Sequence, residues 1–121
     1  MKEENAVRDK SVKFAVNIIK LCKYLQNEQK EYVLSRQLLK SGTSIGANIR
    51  EAEYAQSKPD WRAKLKIAEK EANETEYWLF LLHETEYISN KNYAVLKDEI
   101  IQICRLLAAI CTNSKAEAEN D

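Results

Sequence analysis

Between Leu34 and Ala55, small and apolar residues recur at alternating four- and three-residue steps: Leu34, Leu38, Ser41, Ile45, Asn48, Ala52, Ala55. A repeat of that period sets one stripe of an α-helix against a partner. It passes straight through SGTSIGAN, residues 41–48, which holds both glycines of the chain. A loop has no reason to keep such a register, so the pattern predicts one helix over about 32–56. Gly42 and Gly46 are four apart and share a face beside the stripe. Each costs a helix interior about 1 kcal/mol relative to Ala, and close approach of another backbone, within the subunit or between subunits, is the expected compensation. A ligand-cradling loop fits poorly. A Walker loop needs Lys after its second glycine, where this chain has Ala47, and no G-x-G-x-x-G fingerprint or preceding strand is present.

The same rhythm recurs in three other segments. Phe14, Ala15, Ile18, Ile19, Leu21, Cys22 and Leu25 gather on one side of a helix predicted over about 5–25. Trp61, Leu65, Ala68, Ala72, Thr75, Leu79 and Leu82 mark a helix over about 58–87, with Ser57, Pro59 and Asp60 spaced as a capping box. Tyr93, Leu96, Ile100, Ile103, Leu107 and Ile110 mark a last helix over about 90–112, followed by a frayed tail, 113–121. Four stripes joined by short polar links predict an all-α fold: one domain, 1–121, folded as an antiparallel up-down-up-down four-helix bundle.

Charge bounds the partners. Lys and Arg total 19, as do Asp and Glu, so no overall basic character argues for nucleic acid. Cys22, Cys104 and Cys111 form no C-x-x-C pair and lie among apolar residues, as reduced core thiols would. The apolar run FAVNIIKLC is interrupted by Asn17 and Lys20, which suits neither a secretory segment nor a membrane span. A cytoplasmic protein is expected.

YWLFLL, residues 77–82, carries more apolar surface than one stripe uses. Leu79 and Leu82 point inward, whereas Trp78, Phe80 and Leu81 lie at other angles, and the last helix is apolar over about half its circumference. Surplus of this kind predicts self-association.

Catalytic patterns are missing. The single histidine, His83, has Phe80 rather than Glu three residues before it, which excludes a di-iron bundle. Glu71 and Glu74 form an E-x-x-E pair of the sort that holds Mg²⁺ in helical pyrophosphatases, but Val95 stands where a second pair would need an acid. Serine and cysteine nucleophiles lack a plausibly placed histidine. The expectation is a protein that is no enzyme, with no cofactor, metal or small-molecule substrate. Two cationic strips remain as candidate phosphate contacts: Lys10, Lys13, Lys20 and Lys23 on the first helix, and Lys58, Arg62, Lys64 and Lys66 on the third, with Arg50 nearby.

The stretches QLLKSGTSIGANIREA and EANETEYWLFLL resemble the two most distinctive segments of the four-helix-bundle proteins named for intervening sequences of bacterial 23S rRNA genes. That family is in turn similar to the accessory variability protein of diversity-generating retroelements. The resemblance covers most of the chain and is densest from Ser35 to Leu82. It implies an antiparallel bundle assembled as a ring, a homopentamer, with a link to RNA or a reverse-transcriptase complex. The retroelement relatives bind nucleic acid through a strongly basic surface. This chain departs from them in its balanced charge and in the acidic residues crowding Glu69 to Glu76. A self-assembling scaffold that binds a protein partner without nucleic acid is the alternative expectation.

Overall fold

The structure, a computed structural model, describes residues 2–120, with side chains through Asn113. It contains four α-helices: α1 (Lys2–Asn27), α2 (Val33–Glu53), α3 (Lys58–Glu84) and α4 (Asn90–Asn120). Helices adjacent in the chain pack together and α4 closes against α1, while the diagonal pairs α1–α3 and α2–α4 make no close backbone approach among the described residues.

Every seam runs antiparallel. On α2, Ser35 meets Cys22, Gly42 meets Ile18 and Gly46 meets Ser11, so one helix ascends as the other descends. Likewise Ser41 meets Thr75, Asn17 meets Glu99 while Lys10 meets Gln102, and His83 meets Asn90. The bundle is therefore up-down-up-down.

The expected stripes of α3 and α4 form the core: Leu65, Ala68, Ala72, Thr75, Leu79 and Leu82 against Leu96, Ile100, Ile103, Leu107 and Ile110, all buried. Ala55, expected on the α2 stripe, lies beyond the end of that helix at Glu53, and two further positions depart from expectation. Ile49 takes the inward place predicted for Asn48, which is half-buried and donates from Nδ2 to Ser44 O at 2.8 Å. A straight helix turns every 3.6 residues, so a strict seven-residue repeat drifts, and the four-residue step from Ile45 restores the apolar face. On α1, Ile19 is 38% exposed, and Val7 and Ser11 extend the buried stripe instead.

Local chemistry sets the helix ends. Ser57 Oγ accepts from Asp60 N–H at 3.2 Å, as the capping pattern predicts. Ser89 caps α4 the same way, accepting from Asn92 N–H at 3.1 Å. Lys30 and Glu86 take left-handed conformations (φ 57° and 67°), reversing the chain after α1 and α3. Tyr87 N–H then bonds Leu82 O at 2.9 Å and Glu86 N–H bonds His83 O at 3.0 Å, satisfying carbonyls at the end of α3. The predicted end of α4 near 112 is corrected: the helix runs on to Asn120. The apolar stripe stops at Ile110, but Ala, Lys and Glu favour helix without any tertiary partner. The side chains of the tail lie outside the described residues.

SGTSIGAN is helical throughout. Its polar side chains turn back onto α2 itself: Thr43 Oγ1 donates to Leu39 O at 2.7 Å and Ser44 Oγ to Lys40 O at 2.6 Å. The glycines face α1. A Cβ on Gly42 would lie 2.9 Å from Ile18 Cγ2, and one on Gly46 would lie 3.3 Å from Ser11 Oγ. The compensation for their helical cost is thus inside the subunit. At Gly42 it is a branched side chain, rather than the expected backbone, that fills the space.

Candidate nucleic-acid and assembly surfaces

The first cationic strip is divided by α4. Lys10 Nζ donates to Gln102 Oε1 at 2.8 Å, and Gln102 Nε2 donates onward to Asp98 Oδ2 at 2.8 Å. One turn away, Asn17 Nδ2 lies 3.2 Å from both carboxylate oxygens of Glu99. Lys10 and Lys13 flank a shallow recess of about 160 Å³ with Glu99 and Gln102. Lys10 is thereby committed to the α1–α4 seam. Lys13 and Lys20 are exposed but border α4, Lys20 beside Asn92, Val95 and Leu96, and Lys23 falls on the flank nearer α2, about 140° around the helix from Lys10 at 3.6 residues per turn.

The second strip also separates. Lys58, Arg62 and Lys66 follow at four-residue steps and share the α4-facing flank of α3. Arg62 and Lys66 border an open recess with Glu69, Ala108, Cys111 and Thr112, and Lys66 Nζ stands 3.7 Å from Glu69 Oε2. Lys64 turns to the opposite flank, towards α2. Arg50 follows Gly46 by four residues and so borders α1, away from the α3 cations. The expected grouping of Arg50 and Lys64 with that strip is not formed. Arg36 and Lys40 add exposed cations on α2 beyond the two predicted strips. The signal for them was present: residues 10–27 and 32–50 contain no Asp or Glu at all.

Outward apolar residues occur on all four helices, with the aromatic group on α3. Tyr77 and Phe80 are 55% and 45% exposed, Trp78 and Leu81 half-buried. Trp78 packs a tilted ring 5.3 Å from Tyr77 and donates from Nε1 to Glu74 Oε1 at 3.3 Å. Glu74 is therefore occupied by an indole, and Glu71 shares its flank. On α4 the surplus is mostly absorbed: Ile101, Cys104, Leu106 and Cys111 are half-buried, leaving Val95 exposed. The unexpected surface is on α1, where Val12, Val16 and Ile19 stand at i, i+4 and i+7, each at least 38% exposed.

His83 proves to be a tie between helices. Its ring stacks on Tyr93 with centroids 4.1 Å apart and planes 7° apart, and its Nε2 lies 2.6 Å from Asn90 Oδ1. The thiols are held protonated. Burial, reinforced by Glu31, pushes Cys22 up to about 12, and burial with Glu76 and Glu69 raises Cys104. Cys22 donates to Ser35 O at 3.3 Å. Thiols so placed are poor nucleophiles. Among the described residues, no group of three or more His, Cys, Asp or Glu could hold a metal ion, and no helix is long and apolar enough to cross a membrane.

Comparison with known proteins agrees with this architecture. The family model for the 23S rRNA-intervening sequence protein matches residues 3–109. A crystal structure of a protein with unknown function from the S23 ribosomal protein family of Bacteroides thetaiotaomicron VPI-5482 is 57% identical, with a TM-score of 0.90. The alignment covers 91% of this chain and 98% of that one. No curated protein matches the chain.

Proposed function

Because this chain belongs to the 23S rRNA-intervening sequence protein family, we propose that it is a non-enzymatic, cytoplasmic helical-bundle protein that self-assembles and associates with RNA or a nucleoprotein complex. One observation carries the reading. The core is already filled by residues from all four stripes, yet α1 and α3 present further apolar side chains outward. Contiguous exposed apolar surface of that kind is characteristic of an interface. A homopentamer is the assembly that the family resemblance suggests.

The phosphate contacts in this reading are Lys13 and Lys20, exposed on a helix without acidic residues from 10 to 27. Each contact is weak and sensitive to salt, so affinity comes from repetition of the strip around an assembly. Light scattering at micromolar concentration tests assembly, and a monomer there contradicts it. A salt titration of binding to structured RNA tests the second half. Affinity should fall as salt rises, and Lys13→Glu with Lys20→Glu should weaken binding and flatten that slope. Assembly with no RNA binding at low salt would leave the scaffold reading instead, which the tethering of Lys10 and the zero net charge favour.

A further inference from the structure

Zero net charge conceals a strong separation of sign. Residues 10–27 and 32–50 carry seven Lys or Arg and no acid: Lys10, Lys13 and Lys20 border α4, while Lys23, Arg36, Lys40 and Arg50 are exposed on the remaining surface of α1 and α2. Residues 71–90 carry Glu71, Glu74, Glu76, Glu84 and Glu86 and no Lys or Arg. Each region also presents apolar side chains outward. Val12, Val16 and Ile19 line the α1–α2 side, with half-buried Leu39 level with Ile19 because Gly42 packs at Ile18. Tyr77, Phe80 and Leu81 lie on the acidic half of α3.

We infer that the α1–α2 face of one copy receives the outward face of α3 from a second copy, Val16 and Ile19 packing on Tyr77 and Leu81. Lys23 and Arg36 meet the carboxylates flanking that aromatic group. The inference rests on the self-assembly proposed above and names its two surfaces. Pairing either face with itself would set like charges opposite one another, which complementary interfaces avoid. The head-to-tail pairing brings unlike charges together and joins aliphatic to aromatic surface. Thr43 and Gly46, both small, leave room for a helix to lie along the α1–α2 face. A contact between two different surfaces repeats around a ring or along a filament. It leaves Lys13 and Lys20, on the flank of α1 that borders α4, exposed.

Two singly blocked variants test the pairing: Val16→Glu spoils the α1–α2 face and Tyr77→Lys spoils the α3 face. Both residues are substantially exposed, so the bundle should keep its helical circular dichroism. Each variant alone should have the mass of one chain at a concentration where the wild type is assembled. Their mixture should form a 1:1 heterodimer, because each supplies the face the other lacks. A mixture that stays monomeric, or a single variant that keeps the wild-type mass, overturns the pairing while leaving assembly intact. A monomeric wild type overturns assembly itself. Should either substitution unfold the chain, Arg36→Glu or Glu84→Lys takes its place with the same readout.

Discussion

The two flanks of α2 solve the same packing problem by opposite means. Towards α1 the helix removes side chains, and Ile18 and Ser11 occupy the space over Gly42 and Gly46. Towards α3 it adds polarity. There the hydroxyls of Ser41 and Thr75, both buried, bond to each other at 2.9 Å. Each hydroxyl has one proton, so when Thr75 donates across the seam to Ser41, Ser41 donates back into its own helix, to Leu38 O at 3.4 Å. Shape fixes the α1 register because one level of α2 accepts a branched side chain. Hydrogen bonding fixes the α3 register because a slip would strand two buried hydroxyls, at about 1–3 kcal/mol each. A helix can thus be specified by absence on one side and by chemistry on the other.

Breaking the steric flank should cost most. Gly42→Leu must drive α1 and α2 apart, since even a bare Cβ would stand 2.9 Å from Ile18 Cγ2. A loss of about 3 kcal/mol or more is expected in urea unfolding, at the upper end for overpacking. Unchanged stability would mean that the seam is looser than its distances. Breaking the polar flank should cost less. Thr75→Val leaves Ser41 with only the Leu38 carbonyl, 3.4 Å away, and about 1–2 kcal/mol should be lost. Adding Ser41→Ala should then cost less than it does alone, and strict additivity would show that the pair is uncoupled.

Two smaller effects separate packing from backbone conformation as the reason for glycine. Glu86 already holds a left-handed φ of 67°, so Glu86→Gly should stabilise the bundle by up to about 1 kcal/mol in thermal melts. A net loss there would assign the glutamate side chain a role of its own. Gly46→Ala should be nearly neutral. Its gain of about 1 kcal/mol in helix propensity is offset by a contact of 3.3 Å that Ser11 Oγ must relax. A loss as large as that of Gly42→Leu would show that the two glycines are equivalent, contrary to their surroundings.

The surfaces were less legible than the core, and particular residues show why. Lys10, Lys13, Lys20 and Lys23 were grouped from one helix's wheel, but a wheel cannot show that Gln102 of α4 reaches one of them. Arg50 is close to the α3 cations in sequence, although its flank faces α1. Ile19 looked inward on α1 alone and is 38% exposed in the bundle. The charge separation between residues 10–50 and 71–90 needed no structure to find. Its meaning did, because only the packing shows which of these cations border α4 and which stand on the remaining surface of α1 and α2.

The amino-acid sequence alone determined four helices, the cap of α3 at Ser57 and Asp60, the stripes of α3 and α4, and the helical state of SGTSIGAN. These are local properties, set by spacing, propensity and hydrogen bonds within a few residues. Tertiary structure decided which helix the glycines face, which lysines stay free of α4, and how Ser41 finds Thr75. Those outcomes depend on the relative height and rotation of helices distant in the chain. No single stripe encodes them, because they arise only when four stripes must fill one core together.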